Sequence, residues 1–258
     1  MPNQEIDPLL QDPRSGVPFR IGVVGGMGPL AGVYFQQLII EATPAQRDQD
    51  HFQVVCFTNP HVPERMRSLA EDGGRHYAEA VRASARLLVD AGVSHIAIPC
   101  NTAHARLTEI QRGVSVPIVN MVELALRAMV AEHGQGQRVG LLATVGTIEQ
   151  RVYQDGLPGA AVEWVLPDDG DQRRVSEAIL AVKVNEGPRV GPVLLAVTRT
   201  LVERGARVIV VGCTELSMCL DALRPAGVPL VDPLRMLARH LVDIGLRLRQ
   251  EGAARRQD

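Results

Sequence analysis

Two of the four cysteines in this 258-residue chain sit at matched positions. Ala91-Gly-Val-Ser-His-Ile-Ala-Ile-Pro-Cys-Asn-Thr102 runs parallel to Arg204-Gly-Ala-Arg-Val-Ile-Val-Val-Gly-Cys-Thr-Glu215, which aligns Cys100 with Cys213. Each falls after a buried strand and before a helix, at the sheet edge where open α/β folds bind ligands. A helix start offers unpaired N–H groups and partial positive charge, which lower a thiol's pKa and attract a carboxylate. Two thiols on opposite faces of a substrate suit proton exchange at a carbon: a thiolate accepts from one face while the other thiol donates to the opposite face. A free thiol titrates at about 8.5, so both forms are accessible near neutral pH. A free Cys is commonly a small buried core residue; a repeat-matched pair favours chemistry instead. Cys56 and Cys219 have no repeat partner and read as core filler.

The elements that must position this pair alternate between short apolar runs and helical periods. Strands are expected at Ile21–Val24, Val54–Thr58, His95–Ile98, Pro117–Val119, Val139–Ala143, Val162–Leu166, Val208–Val211 and Pro229–Val231. Helices are expected near Ala31–Ala42, Tyr77–Ala91, Ala103–Arg112, Val122–His133, Ile148–Asp155, Asp171–Asn185, Val190–Arg204, Glu215–Leu223 and Leu234–Gln250. Buried strands, each followed by a helix, imply an α/β class with parallel sheets. Arg20-Ile-Gly-Val-Val-Gly resembles Arg138-Val-Gly-Leu-Leu-Ala, and Val116-Pro-Ile-Val-Asn answers Val228-Pro-Leu-Val-Asp. With the cysteine segments, this makes three matches in the same order. The expected organisation is two pseudo-symmetric Rossmann- or flavodoxin-like lobes with a site in the cleft between them. Residues 1–18 are expected to form a disordered tail, 19–119 with 232–250 a first lobe, and 120–231 a second. The terminal Glu251-Gly-Ala-Ala-Arg-Arg-Gln-Asp should fray.

Hydrophobic residues make up 46% of the chain and charged residues 22%, which supports a packed core and excludes disorder as the main state. The net charge of −2 argues against a dedicated nucleic-acid binder. No apolar run reaches a membrane span, and the first nineteen residues carry acids and prolines where a secretion signal needs a basic and an apolar region. Four cysteines are too few for a disulfide scaffold, so a reducing cytoplasm is expected. Of the 27 basic side chains, 26 are Arg and one, Lys183, is Lys. A general preference for Arg explains the skew. A lysine that survives it is suspected of needing a compact ammonium with rotatable donors.

Gly25-Gly-Met-Gly-Pro after the first strand, Asn59-Pro-His-Val-Pro-Glu-Arg65, Pro99-Cys-Asn-Thr-Ala-His104 and Gly212-Cys-Thr-Glu-Leu216 resemble the aspartate/glutamate racemase superfamily, and most closely its aspartate racemase branch. The resemblance covers roughly residues 19–245. It implies a cofactor-independent, pyridoxal-phosphate-free racemase acting on a small acidic amino acid in D-amino-acid metabolism, with no metal, usually a homodimer, and with Cys100 and Cys213 catalytic. The family's carboxylate-binding arginine falls on Arg65 and its substrate-binding lysine on Lys183. Physically, Arg65 can grip one carboxylate in bidentate fashion while Lys183 neutralises another. Gly26-Met27-Gly28 and Glu215 depart from the glutamate branch, which has Asp-Ser-Gly and a His at those places. Asn101, Thr102 and Ala103 can offer donors to a carboxylate, as can Thr214, Glu215 and Thr144; Met27 and Gly28 would line the cleft. Helix capping is the plainer role for Thr102 and Thr214, and Glu215 either assists Cys213 or favours its helix start.

Rival readings are few. Gly26-x-Gly28-x-x-Ala31 could be a dinucleotide fingerprint, but the second strand ends in Cys56-Phe-Thr-Asn59 without the ribose-binding acid, and Pro29 fits a helix first position. Cys100 and His104 could suggest a cysteine hydrolase or a metal site, yet two ligands lack a third. Two lobes around a cleft also describe a non-catalytic ligand sensor, which has no use for two titratable sulfurs. Within the superfamily, glutamate or broad-specificity amino-acid racemase, hydantoin racemase, maleate isomerase and arylmalonate decarboxylase are the alternatives.

Overall fold

The computed structural model describes residues 19–255, so the expected tail at 1–18 and the last three residues lie outside the described part. The first half runs β1 (Arg20–Gly25), α1 (Pro29–Ala42), β2 (Gln53–Thr58), α2 (Arg65–Asp72), α3 (Arg75–Asp90), β3 (His95–Ala97), α4 (Leu107–Gln111) and α5 (Met121–His133). The second half runs β4 (Gln137–Ala143), α6 (Val145–Glu149), β5 (Val162–Val165), α7 (Asp169–Lys183), α8 (Gly191–Glu203), β6 (Val208–Gly212), α9 (Thr214–Ser217), α10 (Leu220–Leu223), β7 (Leu230–Val231) and α11 (Pro233–Ala254).

Two parallel sheets result, with strand orders β2-β1-β3 and β5-β4-β6-β7. A single bridge from Ile96 to Ile118 occupies, in the first sheet, the place that β7 holds in the second. The duplication read from sequence is therefore a duplication of topology. The class is α/β with two lobes.

Apolar runs form the strands because both sheet faces are covered: β1 and β6 are buried at every residue. One face of the first sheet packs on α3 through Val81, Ala85 and Leu88. On the other, α1 and α11 share a core in which Phe35, Leu38 and Ile39 meet Leu237, Leu241 and Val242. Val175, Ile179, Leu194 and Val197 of α7 and α8 cover one face of the second sheet, and α5 covers the other.

Several expected elements differ. Pro117–Val119 is one bridge instead of a strand, because the Ile118 N–H turns to Gln111 Oε1 (2.8 Å) and Asn120 already caps α5. The helix expected at Ile148–Asp155 starts earlier, where Thr144 accepts from the Thr147 N–H, and stops before Arg151, whose φ is 51°. Glu215–Leu223 is two short helices, not one. Residues 103–112 begin as a 3-10 turn over Thr102–Arg106. The last helix continues through Ala254 where fraying was expected. Arg249 ties it down by donating to the Asp50 and His51 carbonyls and stacking on Phe52. The polar helix α2 was not expected at all.

Candidate active site

Between the carboxyl ends of the two sheets lies a cavity of about 260 Å³. Among the residues singled out from sequence, Met27, Arg65, Cys100, Asn101, Thr102, Thr144, Lys183, Cys213, Thr214 and Glu215 line it. Gly28 does not: its N–H donates to Glu215 Oε1 (3.2 Å). Ala103 is fully buried in the apolar core beneath the first sheet, so its side chain belongs to the core.

The first thiol, Cys100, follows β3 and precedes the Thr102–Arg106 turn. Behind it, His104 is fixed at both nitrogens. The Met121 N–H points at Nε2 (3.3 Å), which leaves Nδ1 to donate to the Cys100 carbonyl (2.8 Å). Burial holds its pKa below the ordinary imidazole value. Such a histidine has no free nitrogen to serve as base for a hydrolase, and its role is structural. Among the described residues no group of three metal-ligating side chains occurs.

Asn101 presents the opposite situation. Its Oδ1 accepts from the Tyr153 hydroxyl, while its Nδ2, buried in the cavity wall, has no protein partner. Tyr153 is itself fully buried and its pKa is pushed well above 10 by burial, then by Asp232 and Cys213, so the hydroxyl is a fixed donor. Gly212 makes room for it: a β-carbon there would lie 3.0 Å from the Tyr153 ring and 2.8 Å from Leu141.

Thr102 is not a cap. Its hydroxyl meets Thr144 Oγ1 (3.0 Å) and Thr147 Oγ1 (2.9 Å), a triangle that joins the two lobes. Thr144 is the cap, of α6. Thr214 is not one either, since it donates to Glu215 Oε2 (3.2 Å).

At the second thiol the expected lowering of pKa is reversed. Burial pushes Cys213 well above the ordinary thiol range, the neighbouring Glu215 carboxylate raises it further, and Lys183 opposes this only in part. The physical reason is twofold. The helix after Cys213 has four residues, too short for a substantial dipole, and the thiol donates directly to Glu215 Oε2 (3.1 Å).

Arg65 opens α2, whose start is held by Glu64 accepting from the Arg67 N–H and whose end turns left-handed at Gly73. Arg65 as a residue is nine-tenths buried, yet its protein hydrogen bond is a single one of 3.3 Å from the guanidinium to the Pro63 carbonyl. A buried cation without a carboxylate partner is costly, which makes this a place for an anionic ligand group. Lys183 sits at the end of α7 on the exposed rim of the same cavity.

A family model described as Asp/Glu/Hydantoin racemase matches residues 24–241. The chain belongs to that family. It is an enzyme of the amino-acid racemase class. A broad specificity amino-acid racemase of Bacillus subtilis is 29% identical over 226 residues, covering 86% of this chain and 96% of that one. A glutamate racemase of Deinococcus radiodurans is 31% identical, covering 88% and 74%. The solved Picrophilus torridus aspartate racemase superposes with a TM-score of 0.77 at 26% identity, covering 87% and 93%.

Seen as a racemase, the site contains residues that sequence reasoning missed. Glu64, Met66, Val145, Ser176, Ile179, Leu180 and Gly212 also line the cavity. Ser176, Ile179, Leu180 and Lys183 recur at helical spacing on one face of α7, so Lys183 itself pointed to them. Tyr153 left no signal, because it acts only through Asn101. Gly26 needs its glycine for packing, since φ is 104° and a β-carbon would collide with the Asn59 carbonyl. That close approach accounts for the motif without a dinucleotide. No helix among the described residues is long and apolar enough to cross a membrane.

Proposed function

We propose that this protein is an aspartate racemase that works without pyridoxal phosphate, by 1,1-proton transfer between Cys100 and Cys213. One observation carries the reading: two thiols from repeat-equivalent strand ends line one cavity that also holds Arg65, a buried arginine with one long bond to a carbonyl and no carboxylate partner. One thiolate removes the α-proton from one face, and the opposite thiol supplies a proton to the other face. Arg65, with Asn101 beside it in the cavity lining, is suited to one substrate carboxylate, and Lys183 to the second. The α-proton beside a carboxylate is very weakly acidic, so fixed donors in a closed, water-poor cleft must stabilise the developing carbanion. Thr102 and Thr144 contribute hydroxyls to that wall, while the Thr214 hydroxyl donates to Glu215. The same reading takes the protein to be a cytoplasmic homodimer.

A second reading has its own observation. Met66, Val145, Ile179 and Leu180 give the cavity an apolar wall, which suits a broader range of amino-acid side chains, as the name of the Bacillus subtilis relative suggests. The test separates the two. Reduced protein is incubated without cofactor in D₂O with L-aspartate, L-glutamate and a panel of neutral amino acids, following the α-proton NMR signal and optical rotation. Exchange coupled to loss of rotation with aspartate above the others supports the proposal. Preference for neutral side chains would transfer the assignment to a broad-specificity racemase.

A further inference from the structure

Each of the matched cysteines is followed two positions later by a side chain that crosses to the other lobe and reaches the residue capping its first helix. After Cys100, Thr102 bonds Thr144, the N-cap of α6 (3.0 Å). After Cys213, Glu215 accepts from the N–H of Gly28, the N-cap of α1 (3.2 Å). The pair of ties follows the pseudo-symmetry of the lobes, but only one carries a charge and only one touches its cysteine. Glu215 is 4% exposed, and its Oε2 takes hydrogen bonds from both Cys213 Sγ (3.1 Å) and Thr214 Oγ1 (3.2 Å). The carboxylate therefore has all its near donors in the protein, so its task is not to hold substrate.

We propose that Glu215 is a positioning residue that keeps Cys213 as the hydrogen-bonded thiol in the resting enzyme and makes that thiol's proton depend on contact between the lobes. Cys213 is then the proton donor and Cys100 the acceptor of the first turnover. The Cα–H bond breaks as the Cys100 S–H forms, leaving the electron pair on Cα. The Cys213 S–H breaks as its proton joins Cα from the opposite face, and Cys213 is left as thiolate. That thiolate faces a carboxylate, which favours the reset between turnovers: Cys100 gives its proton to water, Cys213 takes one from water, and the starting pair of thiolate and thiol is restored. Opening the lobes separates Glu215 from Gly28 and frees one carboxylate oxygen to seek water. The groups that act on Cys213 are Glu215 from its own segment, Lys183 from α7 and Tyr153 from the segment after α6; Thr214, Arg65, Glu64 and Cys100 line the same cavity. Glu215 and Lys183 act on the thiol with opposite sign.

The catalytic part of the proposal rests on the two-thiol reading above, and its test does not. Iodoacetamide alkylation of Cys213 is followed against pH by peptide mass mapping, which separates it from Cys56, Cys100 and Cys219. Glu215→Gln is expected to move the profile to lower pH, with alkylation at a fixed pH near neutrality about tenfold faster, the equivalent of one pKa unit. Lys183→Met is expected to move it the other way. An unchanged profile in a Glu215→Gln protein that melts normally overturns the proposal. Should that variant fail to fold, the infrared S–H stretch of the unsubstituted protein decides. A band lowered by hydrogen bonding and lost in Cys213→Ser supports the proposal, and a free-thiol band overturns it. Neither readout needs turnover, so an inactive protein with the expected profile counts against the racemase reading alone.

Discussion

Removing one hydroxyl, in Tyr153→Phe, isolates how the cavity holds its amide. The ring is fully buried, and its O–H is the donor that holds Oδ1 of Asn101, a cavity-lining residue whose buried Nδ2 has no protein partner. Phenylalanine fills the same space, so the change removes a hydrogen bond without opening a large void. It leaves a buried acceptor unsatisfied, at a cost of about 1–3 kcal/mol. For a chain of this size, at roughly 2–4 °C per kcal/mol, melting should fall by about 2–12 °C. The amide also becomes free to flip, and losing about 1 kcal/mol of substrate binding corresponds to a roughly fivefold rise in KM. Because the phenol pKa lies well above 10, the loss should be the same at every pH across the neutral range. Differential scanning calorimetry and initial racemisation rates measure both quantities. A melting temperature within about 1 °C of the parent, together with an unchanged KM, would show that Tyr153 does not hold Asn101.

Three further outcomes follow from the site. Cys100→Ala and Cys213→Ala should each lower kcat for racemisation by at least about 10²-fold while isothermal titration still detects substrate, and full activity in either would sink the two-thiol assignment. Lys183→Arg should lower kcat/KM by roughly tenfold, since a flat guanidinium cannot replace a compact ammonium at a fixed distance; an unchanged value would make the lone lysine an accident of composition. The buried His104 has a pKa depressed below 6.5 in the folded protein, so the unfolded chain binds the extra proton first and stability falls as pH drops below about 6.5. His95 and His240 act in the same direction, so urea midpoints should fall between pH 6.5 and about 5, less steeply in His104→Asn. An equal slope in that variant would refute the role given to His104.

Strands, lobes and the cysteine pair were legible in the chain itself. A strand covered on both faces must be an apolar run, as Val208–Val211 is, and a duplicated lobe repeats its runs in order whatever happens to its surface. Cys100 and Cys213 stood out because they share a position in that repeat, and Lys183 because it is the one lysine beside 26 arginines. Arg65 was reached only through a family resemblance. The helix that carries it, Arg-Met-Arg-Ser-Leu-Ala-Glu-Asp, is so polar that no periodicity announces it, and it is specified by Glu64 and Gly73 at its ends. The roles of the polar residues were decided by the tertiary structure. Thr102 looks like a cap and is an inter-lobe tie; His104 looks like a base and has both nitrogens occupied; Tyr153 gave no sign in the sequence and orients Asn101. The direction of the Cys213 pKa was also beyond the sequence, because it depends on burial and on which oxygen lies against the sulfur. Apolar patterning is local and repeats with the period of a strand or a helix. A polar side chain's task is set by a partner that can lie fifty or two hundred residues away, and no local period encodes that distance.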